Sequence, residues 1–201
     1  METAKGHWSG KVYEGPLTHG RKYSKEELWE NYTYFIRQIA PVCEEAGVRF
    51  GIHPDDPPVP ELGGIPRHIF GTFDGYVRAL EIANSPAIGV CLCCGTWMEG
   101  GKHTGKDVYE ATRAFAKMGK LWKIHFRNVT APIPYFVETY IDNGYTDMYK
   151  LMKTLVDVDF RGNLIADHVP AMVGGRHSGW SYSMGYIRAL YAAAQAERRR
   201  S

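Results

Sequence analysis

The chain has 201 residues, 44% apolar and 23% charged, with a formal net charge of +2 at pH 7. That length and balance predict one globular unit with its own core and exclude a polyelectrolyte, so neither nucleic acid nor a membrane surface is expected as partner. No run approaches the roughly 18 apolar residues of a membrane span.

The opening METAKGHWSGKVYEG lacks the apolar stretch of a secretory signal. Three of the four cysteines crowd together at Cys91, Cys93 and Cys94, which suits reduced thiols and a cytoplasmic setting. The Arg198-Arg199-Arg200 run reads as a solvated tail.

In chain order, residues 1–22 are Gly-rich and non-periodic, a loop or leader, and residues 23–201 form the domain proper. Ser24 opens a helix with Glu27 three residues on, and Leu28, Tyr32, Phe35, Ile36, Ile39 and Val42 recur at helical spacing before Gly47 ends it. A strand is predicted at 48–53, then a Pro-rich loop, a helix at 72–83, and a buried strand over 88–93. A Gly-rich loop follows at 95–105, then a helix at 106–118 and a strand at 121–126. A long loop leads to a helix at about 148–156. A strand at 163–167, a Gly-rich loop, and a helix from about 184 to 198 complete the chain.

Strands alternating with helices indicate βαβ units and a parallel sheet. The loops after the strands are long and rich in Gly, Pro, His and Asp, as in β/α barrels whose working loops follow the strands.

The strand ends carry the chemistry. His53, Cys93, His125 and Asp167 are separated by 40, 32 and 42 residues, about one strand–helix unit each time. Strand ends at one rim of a parallel barrel converge, so four distant donors can meet on one ion. Taken singly, each has a plainer reading: a rim histidine, a small buried cysteine, a loop-capping aspartate. The shared period favours a metal. Mixed imidazole, thiolate and carboxylate donors suit Mn²⁺, Fe²⁺, Co²⁺ or Zn²⁺ better than Ca²⁺ or Mg²⁺. Four protein donors leave open positions on a six-coordinate ion but none on tetrahedral Zn²⁺, favouring Mn²⁺ or Fe²⁺ for a catalytic role. Cys91-x-x-Cys94 has no second pair, so a zinc or redox reading of it is weak.

Five segments occur in order: HPDDPPVPELGGIPR at 53–67, CLCCGT at 91–96, KIHFRNV at 123–129, FVETYIDNGYTDMYK at 136–150 and ADH at 166–168. Together they closely resemble the mannonate dehydratase family over about residues 24–190. The resemblance implies a xylose-isomerase-like TIM barrel, a hydro-lyase of glucuronate catabolism converting D-mannonate to 2-keto-3-deoxy-D-gluconate, and Mn²⁺ or Fe²⁺ as cofactor.

It also implies His53, Cys93, His125 and Asp167 as metal ligands and His168 with Tyr182 as the acid–base pair, their roles undivided. The chain departs from the family pattern at Trp180-Ser181-Tyr182, at Val169 after the Asp-His pair, and at Tyr140 where a histidine is common. Arg127 and Arg67 are expected to contact the substrate. Asp55 and Asp56 are expected to orient His53, with Glu138 and Asp147 as weaker candidates.

A closed eight-stranded barrel needs about 200–250 residues or more. Only four strands are legible, matching the family's second half, so a partial barrel with two open edges and an exposed apolar face is expected. A homo-oligomer or a complementing chain then closes it. The alternatives are a non-catalytic half barrel and, further off, a metal-dependent sugar isomerase.

Overall fold

A computed structural model describes residues 17–67 and 69–200. Of the predicted leader, residues 1–16 lie outside the described residues. Residues 17–22 are tied to a turn at Gly63–Gly64, through Thr18 N–H to the Gly63 carbonyl, followed by Tyr23 N–H to that of Gly64.

Helix α1 (Lys25–Ala46) starts where predicted, because the Ser24 hydroxyl accepts from Glu27 N–H, and ends on left-handed Gly47 (φ 64°). Strand β1 (Phe50–Ile52) follows, then a small hairpin of β2 (Glu61–Leu62) and β3 (Ile65–Pro66). Helix α2 (Phe73–Ala83) is capped by Thr72, and β4 (Ile88–Cys93) is buried at all six positions. After α3 (Cys94–Gly100) and α4 (Val108–Lys117) come β5 (Leu121–His125) and a second hairpin, β6 (Asn128–Val129) with β7 (Glu138–Thr139). Helix α5 (Met148–Asp157), β8 (Asn163–Ile165) and α6 (Arg176–Arg198) complete the chain. No described helix is long and apolar enough to cross a membrane.

The main sheet has four parallel strands in the order β1-β4-β5-β8. Its register sets Cys93 beside His125 and His125 beside Ile165, so the strand ends are level at one rim. One face carries Ile52, Val90, Leu92 and Ile124 into a core shared with the helices. In that core Phe115 of α4 is fully buried against Phe73, Tyr76 and Trp97, with ring centroids 5.1, 5.4 and 6.1 Å away. Phe115→Ala is expected to cost about 3–5 kcal/mol of unfolding free energy. Urea denaturation measures it, and a loss below about 1 kcal/mol would contradict this packing.

The opposite face differs from the expected apolar one. Gly51, Cys91, Lys123 and Asn163 line a cavity of about 570 Å³ there, with His53 and His125 at the rim. Small and polar side chains can tolerate water on this face, which an apolar face could not. Both outer strands, β1 and β8, pair on one side only among the described residues.

Two element boundaries differ from expectation. The predicted loop at 95–105 is helix α3 followed by a 3₁₀ turn at Gly101–Thr104. Its glycines serve close packing: a Cβ on Gly95 would lie 2.3 Å from Arg127 Nη1. The last helix begins at Arg176, some eight residues earlier than predicted. Gly179 sits within it because a Cβ there would come 2.7 Å from Val169 Cγ1.

Candidate metal centre

Four strand ends deliver four donors. His53 follows β1, Cys93 and His125 end β4 and β5, and Asp167 lies two residues beyond β8. Their ligand atoms all lie within 4.8 Å of one another. Cys93 and His125 are buried, while Asp167 is partly exposed.

The donors are oriented as well as gathered. His53 Nδ1 donates to the Pro54 carbonyl at 2.8 Å, which leaves its Nε2 lone pair facing His125 Nδ1 at 3.1 Å. His125 Nδ1 also lies 3.2 Å from Asp167 Oδ1. Behind it, Cys91 Sγ stands 3.5 Å from His125 Nε2. The Cys93 thiol donates to Asp167 Oδ2 at 3.7 Å. Asp167 has φ 64°, a left-handed conformation unusual for a non-glycine residue, and this turns its carboxylate back toward the rim.

The proton states of His53 and Asp167 suit a cation, while His125 holds a proton that a cation would displace. For His125, burial opposes the charge, but hydrogen bonds with Asp167 and Cys93 outweigh it and push the imidazole up to about 9. For Asp167, burial opposes ionisation, but His125, His168 and Arg127 hold the carboxyl far below its ordinary range. Burial, the larger cause, pushes the His53 imidazole down, and the neighbouring His125 charge adds to it. Asp167 as a carboxylate and His53 with its lowered pKa favour the states a metal requires, and an incoming ion would displace the proton that His125 holds, so the residues fit a divalent ion whose binding strengthens as pH rises.

The sign of the pH dependence follows. A histidine raised from 6.5 to about 9 contributes stability fully below pH 6.5 and loses it as pH rises through 9. The lowered Asp167 contributes above its unfolded value near 3.8 and loses that only in strong acid. Chelator-treated protein is therefore expected to melt at falling temperatures between pH 6.5 and 9, and saturating Mn²⁺ should flatten that decline. Calorimetry across this range checks it, and a flat profile without metal would refute the His125–Asp167 pairing.

The other candidates are placed as follows. His168 is half exposed, with Nδ1 2.6 Å from Glu138 Oε1 and Nε2 3.9 Å from Asp167 Oδ2. It lines a cavity of about 500 Å³ with Glu138, Asp167, Val169, Met172 and Trp180. Tyr182 is not among those lining residues. It lies two positions beyond Trp180 on α6, hence on a different helix face. The Tyr182 hydroxyl bonds Asp142, the main cause that pushes the phenol up to about 12. Its ring meets Tyr140, whose hydroxyl donates to the Ala171 carbonyl.

Arg127 corrects the expected substrate clamp. Its side chain is 0% exposed, and all three of its nitrogens bond protein groups. Strand β5 ends at His125, so the two-residue alternation of a strand does not place Arg127 on the His125 side. Arg67 Nη2 donates to the Asp56 carbonyl, and its Nε has no hydrogen-bond partner among the described residues. Asp55 accepts from Phe70 N–H, and Asp56 accepts from Thr96 and Arg127, so the Pro54 carbonyl, not either carboxylate, orients His53. Asp147 caps α5.

Sequence reasoning missed Glu99, which is fully buried on Arg127, and passed over Cys91 behind His125. It underweighted Glu138. The alternation of β4 placed Cys91 on the same face as Cys93 and was the one available signal.

Residues 12–201 match the family model described as D-mannonate dehydratase (UxuA). The chain belongs to the D-mannonate dehydratase family. A mannonate dehydratase of Streptococcus suis is 39% identical over 171 residues, 84% of this chain and 45% of that protein. Mannonate dehydratase 2 of Halalkalibacterium halodurans is 33% identical over 182 residues, 89% and 51% respectively. The crystal structure of mannonate dehydratase from Streptococcus suis serotype2 superposes with a TM-score of 0.79 at 34% identity, covering 88% of this chain and 52% of that one. A xylose isomerase domain protein from Alicyclobacillus acidocaldarius reaches 0.66 at 16% identity, covering 87% and 62%, which speaks for the TIM-barrel fold alone. This member of the D-mannonate dehydratase family spans about half the length of the curated relatives it matches.

Proposed function

We propose that this chain carries the metal-binding and acid–base half of a cytoplasmic sugar-acid dehydratase that converts D-mannonate to 2-keto-3-deoxy-D-gluconate. The observation that carries this reading is the four-donor cluster beside an open cavity containing His168. His53, Cys93, His125 and Asp167 would hold Mn²⁺ or Fe²⁺. Such an ion supplies Lewis-acid stabilisation of the negative charge that develops as the α-proton leaves.

The rest falls to side chains. Dehydration removes a proton α to a carboxylate and expels the neighbouring hydroxyl as water, so one group takes a proton and another gives one. His168 holds Glu138 through Nδ1 and so keeps Nε2 for substrate. Its pKa is raised, chiefly by that hydrogen bond, which lets it hold a proton more readily than a free histidine. Tyr182 enters the reading as the second proton-handling group, since a phenol pushed up to about 12 stays protonated at neutral pH. Tyr182→Phe tests it: a kcat reduced 100-fold or more supports the role, and an unchanged kcat removes it. Arg67, whose Nη2 donates to the Asp56 carbonyl beside the donor cluster, is kept as the substrate contact of this reading.

The sides of β1 and β8 that pair with no strand among the described residues support assembly with a second copy or a complementing half. Sedimentation of the purified chain tests this, with a stable monomer as the contrary result. The deciding assay is 2-keto-acid formation from D-mannonate with Mn²⁺. A folded, metal-loaded assembly without activity would leave the non-catalytic half-barrel reading in its place.

A further inference from the structure

The geometry points to Arg127 as a positioning residue that fixes Asp167 relative to Glu138, and thereby couples the donor cluster to His168. This rests on reading the four donors as a metal site.

The argument begins with the contacts of one guanidinium. Nε donates to Asp167 Oδ2 at 3.2 Å. Nη1 donates to Glu99 Oε1 at 2.5 Å and lies 3.4 Å from Glu138 Oε1. Nη2 donates to Asp56 Oδ2 at 2.8 Å and to Thr96 Oγ1 at 3.0 Å. Glu138 Oε1 in turn accepts from His168 Nδ1 at 2.6 Å. One planar group thus ties together the loop after β1 that carries His53, the buried helix α3, the β6–β7 hairpin and the loop after β8 that carries Asp167.

Charge and shape both require an arginine there. Four carboxylates, from Asp56, Glu99, Glu138 and Asp167, surround this single cation and would otherwise repel one another. A lysine is a point charge and cannot address them in fixed directions, whereas the guanidinium fork can. The chain also makes room for it: a Cβ on Gly95 would meet Arg127 Nη1, Cζ and Cγ at 2.3, 2.4 and 2.5 Å. Because Arg127 is fully enclosed, it acts through Asp167 and Glu138 rather than on substrate. Partners that orient metal ligands typically change affinity 10–100-fold when removed.

The test uses Co²⁺ as probe in the full chain, because its thiolate and visible bands report both binding and ligand geometry. Arg127→Lys is expected to fold, to bind Co²⁺ about 10–100-fold more weakly, and to show a changed visible spectrum. Gly95→Ala keeps every charge but displaces the guanidinium, so it should shift affinity and spectrum in the same direction. It decides the matter if Arg127→Lys does not fold. Folded variants with lowered melting temperature but wild-type Co²⁺ affinity and spectrum would make Arg127 a purely structural ion-pair hub and overturn the inference. His125→Ala separates the two readings. If it too binds Co²⁺ like the wild type, the metal site itself is refuted.

Discussion

Replacing His125 by alanine is expected to abolish saturable Mn²⁺ binding and the metal-dependent rise in melting temperature. His125 Nδ1 is the most central donor atom, 3.1 Å from His53 Nε2 and 3.2 Å from Asp167 Oδ1. Its loss leaves three donors and a gap between them. With free metal at about 100 times the dissociation constant, binding stabilises a folded protein by about 2.7 kcal/mol. For a domain of this size that corresponds to about 5–10 °C. Titration calorimetry and melting curves with and without Mn²⁺ measure both quantities. A His125→Ala protein that keeps the wild-type dissociation constant would refute the cluster as a metal site. The same curves separate metal loss from misfolding, because a folded variant retains its metal-free melting temperature apart from the lost His125–Asp167 pair.

On the proposed dehydratase reading, His168→Ala should lower the rate of 2-keto-acid formation from D-mannonate by about 10²–10⁴, with Mn²⁺ binding retained. The separation is expected because His168 stands outside the donor cluster: its Nδ1 bonds Glu138, and its Nε2 is 3.9 Å from the nearest Asp167 oxygen. Removing it would take away the proposed proton carrier and leave the four donors in place. Full activity in this variant would exclude His168 from proton transfer. Loss of metal together with activity would instead assign it a role in holding Asp167.

The comparison of sequence with structure divides along a physical line. The four donors were legible because each ends a strand, and parallel strands of similar unit length must bring their ends to one rim. The helix starts at Ser24, Thr72 and Asp107 were legible or nearly so, because capping is a contact between residues three apart. Helix α3 was misread, since glycine content cannot distinguish a loop from a helix whose glycines admit a neighbouring side chain. The placement of Trp180 and Tyr182 was not legible for a related reason. The early start of α6 puts them on helical rather than irregular backbone, so a separation of two residues turns one toward the cavity and the other toward Asp142.

The sequence alone determined the alternation of strands and helices, the donor set and the family resemblance, all of which rest on local spacing and residue chemistry. Only the tertiary structure decided what Arg127 does. Its partners Asp56, Thr96, Glu99, Glu138 and Asp167 come from across the chain, 71 to 11 positions away, and no local pattern records their meeting. A buried charge acquires its role from whatever neighbours the fold supplies, and those are fixed only when the sheet and its loops have closed around it.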